Sequence, residues 1–402
     1  MRLKERAARL ALVLLGALVP WLFVELGVRL FYDSLPSSIQ SQVSNVRLWG
    51  IGGPRLGPKW TSICVGDEHL GGRNLPDLDA VRVQFGPAIY HVSTSSLGFP
   101  NVGFRTTESA TRWDGVVIGD SFGFCHHVEI EDCWVPRLAR ETGISIANLS
   151  VPGTGSVSHG RYLEEYGRAL NPRLVIWQYW VNDPRDDFEH IVHGKLPCPR
   201  PGPGTGDREP QQSSGAKRFL LDSSIGASLL RGAWKGVTGP SDQTERSDVW
   251  VFKTTRGRPL FAWQDEGASP ESKEGAAGLA LTLEAIGEAA RETTERGAAF
   301  RLLIAPSNLQ VYAQDLPGEE LRAEMRAENR TSDRLVAFAN EQAIDVLDLR
   351  PAFVTAAEGG ADLYPDYDVH WTPDGNRLAA SLVTEWVRDA FARPRRTPHP
   401  AP

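Results

Sequence analysis

Five short apolar runs constrain this chain more than any other feature. They are GVVIGDS (115–121), ISIANLS (144–150), RLVIWQYW (173–180), FRLLIAPS (300–307) and IDVLDL (344–349). Runs without strict polar alternation suit strands buried on both faces. Segments with helical periodicity, at 158–170, 275–296, 319–341 and 373–391, lie among them. Apolar strands interleaved with amphipathic helices predict an α/β fold: a parallel sheet with helices on both faces. In such sheets ligands gather at the carboxyl ends of the strands, so those ends are where chemistry is expected.

The N-terminus is of another kind. Arg2, Lys4, Arg6 and Arg9 precede the run LALVLLGALVPWLFVELGV (10–28), whose one charge is Glu25. As a helix this run is about 28 Å long, close to the roughly 30 Å hydrocarbon core of a bilayer. No A-x-A cleavage signal follows it. We read residues 10–31 as a transmembrane signal anchor, with a cleaved signal peptide as the alternative. The basic residues 1–9 stay cytoplasmic and the rest lies outside, in the periplasm if the cell is Gram-negative.

Beyond the anchor, residues 32–105 are turn-rich with short alternating stretches such as AVRVQF and AIYHVS, and predict short strands. The main domain spans 106–391. It is interrupted at about 194–248 by an insertion whose Pro/Gly/Ser-rich start predicts a mobile loop, and it is followed by a disordered tail at 392–402. The formal charge of −7 argues against nucleic acid as a partner, because a sequence-independent binder needs a basic face. Outside the cytoplasm Cys64, Cys125, Cys133 and Cys198 can pair in any of three ways or remain free thiols.

Candidate chemistry sits at the strand ends. Ser121 follows an apolar strand directly and is flanked by Gly119 and Gly123. The next strand leads to Gly153 in NLSVPGTGS, and the third to Asn182 and Asp183 in WQYWVNDPRDD. Far downstream, YPDYDVHWTPDGNRLAA places His370 just before the last helix. A serine becomes nucleophilic beside a base, and a carboxylate must fix the tautomer of that base. Three carboxylates stand near His370: Asp362, Asp366 and Asp368. Asp368, two residues before it, can reach the ring nitrogen that faces away from Ser121. Asp183 and Trp371 are candidate substrate contacts. His126 and His127 show no metal-site spacing and predict surface or supporting roles, so no metal or other cofactor is expected.

The set G-D-S with Ser121, Gly153, N-D with Asn182, and D-x-H-W with His370 resembles the SGNH (GDSL-type) hydrolase superfamily over roughly residues 93–390. It is most similar to the membrane-anchored bacterial branch of alginate O-acetyltransferase-type proteins. The resemblance implies a flavodoxin-like sheet of about five strands, Ser121 as nucleophile and His370 as base. It also implies an oxyanion hole of the Ser121 N–H, the Gly153 N–H and the Asn182 side chain. Two positions depart from the usual pattern: Trp180 stands where Gly is common, and Tyr367 where the Asp usually is.

These features point to an extracytoplasmic serine esterase or O-acyltransferase acting on an acylated glycan or other ester. Lipid or small-ester hydrolysis, and a non-catalytic glycan-binding or assembly role on the same fold, are the alternatives.

Overall fold

In a computed structural model, most of residues 60–392 are described, apart from 86–87, 107–109, 201–223, 226–248, 255–256, 258 and 264–268. Nearer the N-terminus, residues 16, 18–31 and 35 are described. The chain divides into two compact units. One comprises residues 1–62, 82–89 and 204–245, and the other residues 63–81, 90–203 and 246–402.

In the first unit, residues 18–30 are helical and Glu25 pairs with Arg29 one turn on, at 3.0 Å. Among the described residues no helix is long and apolar enough to cross a membrane. Residues 10–15 and 17 of the expected anchor lie outside the described residues, as do most of the 194–248 insertion and the tail from 393.

The elements of the fold run as follows. Four short strands come first: β1 (Cys64–Asp67), β2 (Gly71–Asn74), β3 (Val81–Phe85) and β4 (Ala88–Val92). Then come β5 (Gly115–Ile118), α1 (Ser121–Phe124), α2 (Trp134–Thr142), β6 (Ile146–Asn148) and α3 (Ser156–Tyr162). They are followed by β7 (Leu174–Tyr179), α4 (Asp183–His193) and the hairpin strands β8 (Val249–Lys253) and β9 (Pro259–Trp263). The chain ends with α5 (Lys273–Glu295), β10 (Ala299–Ile304), α6 (Asn308–Val311), α7 (Glu319–Glu341), β11 (Asp345–Asp348), α8 (Arg350–Glu358) and α9 (Pro373–Ala392).

The five apolar runs form one parallel sheet in the order β11-β10-β7-β5-β6. This is the doubly wound order, with its switch point between β5 and β7. Side chains alternate between two cores, as a period-two strand requires. Val117, Ile176 and Leu303 pack with Trp134 and Leu138 of α2 and Ala380 and Val383 of α9. Val116, Ile118, Trp177, Leu302 and Ile304 pack on the other face with Tyr162 of α3, Ile286 of α5 and Leu335 of α7. Both faces are covered, which explains why the strands read as unbroken apolar runs.

Three of the four expected helices match closely. The segment expected as one helix over 158–170 is instead α3, a single π-helical turn (Leu163–Gly167) and a 3-10 turn (Arg168–Leu170). The cysteines resolve into Cys64–Cys198 and Cys125–Cys133.

Candidate active site

The sheet places β5 and β7 side by side, so the residues just past their carboxyl ends face the same crevice. After β5 the chain turns sharply: Asp120 caps α1, accepting from the Phe122 N–H at 2.9 Å, and Ser121 is the first helical residue. The turn is pinned by β7. Gln178 Oε1 accepts from the Asp120 N–H (3.1 Å) and the Gly123 N–H (2.9 Å). A Cβ on Gly119 would stand 2.2 Å from that same oxygen, and one on Gly123 would stand 2.2 Å from Ser150 Oγ. Both positions therefore favour glycine by close approach, because a Cβ at either would force Gln178 or Ser150 to move.

Ser121 Oγ lies 2.7 Å from His370 Nε2. The other ring nitrogen, Nδ1, hydrogen-bonds Asp368 Oδ1, which also accepts from the His370 backbone N–H at 3.0 Å. An ionised carboxylate only accepts, so Nδ1 carries the proton and Nε2 presents its lone pair to the serine hydroxyl. Burial alone would raise the Asp368 carboxyl. The imidazoles of His127 and His370, with hydrogen bonds from His370, reverse this and hold it at about 2. Asp366, the rival carboxylate, is exposed.

The surroundings of His370 are aromatic. The Phe122 ring meets Trp180 at 4.8 Å and His370 at 5.0 Å between centroids. Trp180, which replaces the expected glycine, is thus part of the wall beside the base. Asn182 directly precedes α4 and donates from Nδ2 to Asp186 at 2.8 Å, which leaves its second amide N–H for another acceptor. The loop after β6 runs alongside the turn: the Leu149 N–H donates to Val117 O and the Val151 N–H to Gly119 O. That ladder leads to Gly153, whose φ of +71° is a conformation glycine takes without a Cβ penalty.

Two sequence expectations are corrected. Asp183, expected to face the crevice, is fully buried and accepts from Ser156 Oγ at 2.6 Å, so it ties α3 to α4. Trp371 is 1% exposed, donates to the Tyr364 hydroxyl at 3.3 Å and packs between Phe122 and Phe353. It is a core residue.

Below the turn lie more buried carboxyls. Burial raises Asp120 to about 6 and Asp187 to about 7, and it raises Asp183 well above the usual range.

Of the two roles expected for His126 and His127, the structure shows the supporting one, in a layer behind His370. His126 and His127 are not at the surface: His126 bonds the Tyr90 hydroxyl at 2.5 Å, and His127 Nε2 lies 3.4 Å from Asp368 Oδ1 with both side chains buried. The buried guanidinium of Arg105 donates to the carbonyls of Phe124 (2.9 Å), Cys125 (2.6 Å) and Val128 (2.8 Å). The one local signal was the Cys125–Cys133 spacing, which brackets both histidines. Ligand atoms of His127, Asp368 and His370 lie within 4.8 Å of one another, close enough to surround a metal ion. Here Asp368 and His370 Nδ1 bond each other while Nε2 bonds Ser121, so two of the three groups already engage each other and the serine.

Residues 249–399 match the family described as "SGNH hydrolase-like domain, acetyltransferase AlgX". That match is shorter than the 93–390 stretch expected from the motifs. Similar solved structures include a G-D-S-L lipolytic protein from Desulfitobacterium hafniense (12% identity, 68% of this chain and 98% of that one, TM-score 0.38). Another is the acetyl xylan esterase AlAXEase (12% identity, 68% and 99%, TM-score 0.38). A third is a lipase/acylhydrolase from Enterococcus faecalis (10% identity, 68% and 95%, TM-score 0.35). No curated protein matches the chain.

The sheet is of the doubly wound type with Ser121 just past its switch point, and over residues 249–399 the chain is similar to the SGNH hydrolase-like domain of the AlgX acetyltransferase family.

Proposed function

We propose that this chain is a serine-dependent acyl-ester enzyme that moves or removes O-acetyl groups on a polysaccharide outside the cytoplasm. The observation that carries the chemistry is the continuous line Ser121 Oγ, His370 and Asp368. Ser121 Oγ attacks the acyl carbon as its proton passes to His370 Nε2. The carbonyl π pair moves onto oxygen, where the N–H groups of Ser121 and Gly153 and the free amide N–H of Asn182 receive it. Asp368 stabilises the imidazolium and stays ionised. Collapse of this intermediate expels the sugar oxygen, which takes the proton back from His370. An acyl-Ser121 ester remains, for water or a second hydroxyl to attack.

The AlgX-type family match supports a glycan as the acyl carrier. The two disulfides and the basic, apolar N-terminus support an oxidising compartment and a membrane anchor. The test incubates purified protein with an O-acetylated polysaccharide and an unacetylated acceptor, following free acetate and acetyl on the acceptor separately. Ser121-dependent appearance of either product is expected. Neither product from any acetylated glycan, alongside turnover of lipid esters, would replace the glycan with a lipid.

A further inference from the structure

The loop from Cys125 to Cys133 is built at a conformational cost. Cys125 (φ 62°) and His127 (φ 70°) both sit in the left-handed region, which side chains other than glycine rarely adopt. Such backbone persists only where its surroundings over-determine it, and it marks functional sites. The surroundings here are the Cys125–Cys133 disulfide and the Arg105 guanidinium, which donates to carbonyls on either side of His127. The product of this bracing is the placement of one imidazole. The His127 ring lies nearly parallel to His370 (5.0 Å between centroids, 21°), with Tyr90 (6.3 Å, 14°) and Tyr367 (5.8 Å, 26°) also stacked on it. Its Nε2 lies 3.4 Å from Asp368 Oδ1, the oxygen that bonds His370 Nδ1, just short of a formed hydrogen bond.

We propose that His127 is a positioning residue for the acyl-transfer step: a second imidazole on the Asp368 carboxylate that fixes its rotamer and supports the His370 ring against Ser121. The inference rests on the reading of Ser121, His370 and Asp368 given above. His127 acts through Asp368 and touches no substrate. Burial, opposed by Asp368 and reinforced by His370, pulls His127 down to about 4, so it is neutral at working pH, and a small closure of the 3.4 Å approach lets Nε2–H donate to Asp368 without competing for the Ser121 proton. A second donor on Oδ1 also draws charge from the carboxylate. His370 is then less basic than Asp368 alone would make it, and it releases the proton to the leaving oxygen more readily. The groups facing this pair are Ser121 and Asp120 at the start of α1, His126 from the loop, Tyr90 from β4, and Tyr367 and Asp368 from the final loop.

Two variants test this on the full-length protein. His127→Phe keeps a flat ring but no donor, and His127→Gln keeps a donor. His127→Phe should lower kcat about tenfold with KM little changed, and should move the acid limb of the kcat/KM profile to higher pH. His127→Gln should restore most of the rate and return the limb. Equal losses in both variants with an unmoved limb would reduce His127 to packing and overturn the proposal. Should His127→Phe not fold, 15N-histidine NMR of the unaltered protein still decides. A neutral His127 protonated on Nε2 between pH 5 and 8 is expected, and an Nδ1-protonated or charged ring overturns it. Retained turnover in Ser121→Ala would instead remove the catalytic reading itself, a separate failure.

Discussion

Replacing Asp368 by asparagine keeps the shape of the side chain and removes its charge. In the folded protein the carboxyl is held at about 2 against an ordinary 3.8. At about 1.36 kcal/mol per pH unit, this means surrounding groups favour its ionised form by roughly 2–3 kcal/mol. A group held down in the folded state contributes stability above its unfolded value. That contribution is complete above about pH 4 and is lost as pH falls through about 2. The His127 share is absent once that ring is neutral, so Asp368→Asn should cost about 1–2 kcal/mol in urea unfolding at pH 7, carried by the hydrogen bonds from His370, and almost nothing near pH 2. The kinetic loss should be larger. An asparagine that donates its amide N–H to Nδ1 forces the ring proton onto Nε2, which then cannot accept from Ser121. The penalty for a wrong tautomer is on the order of 10²–10⁴ in kcat. Turnover of a chromogenic acetyl ester measures this directly, with Asp366→Asn as the exposed control expected to lose little. An Asp368→Asn rate within about threefold of the unaltered protein would refute the reasoning, and the reverse ranking would hand the role to Asp366.

Removing the Asn182 amide with Asn182→Ala should lower kcat by about 10²–10³ if it is an oxyanion donor, and an unchanged rate would take it out of the site. Serine at both Cys125 and Cys133 should cost about 2–3 kcal/mol in thermal unfolding through the freed loop, and should lower turnover as His127 loses its place. Protein recovered from cells under thiol-blocking conditions should carry no free thiols, and a full set would contradict an extracytoplasmic location. Asp187 is raised to about 7, so its contribution is complete below about pH 4 and falls by about 1.4 kcal/mol per pH unit until pH passes 7. Asp187→Asn should flatten that part of the stability curve between pH 5 and 7, and an unchanged slope would mean the carboxyl is already ionised.

The sheet was legible in the sequence because burial on both faces removes polar positions, which left β5, β7 and β10 as plain apolar runs. Ser121 and His370, which the structure brings together, could be read because each stands just past a strand or just before a helix, where the topology puts ligands. Asp183 and Trp371 were misplaced for a related reason. Neighbouring residues in a tight loop or a first helical turn point in different directions, so standing beside Asn182 or His370 in sequence does not bring a side chain into the crevice. Asp183 turns inward to Ser156, and Trp371 turns into the core around Phe353. The His126–His127 layer was hidden because its placement depends on long-range partners, namely Arg105 from upstream and Asp368 from the far end of the chain. Adjacent histidines alone carry no spacing that tells a braced pair from a surface pair.

The central claim is that an acyl group resides on Ser121 during turnover. Acid quenching of the purified protein during the reaction with an activated acetyl ester, followed by peptide mass spectrometry, tests it most directly. An acetyl ester confined to the peptide holding Ser121 is expected, with none in Ser121→Ala. An acetyl ester on another side chain, or full turnover by Ser121→Ala, would contradict it.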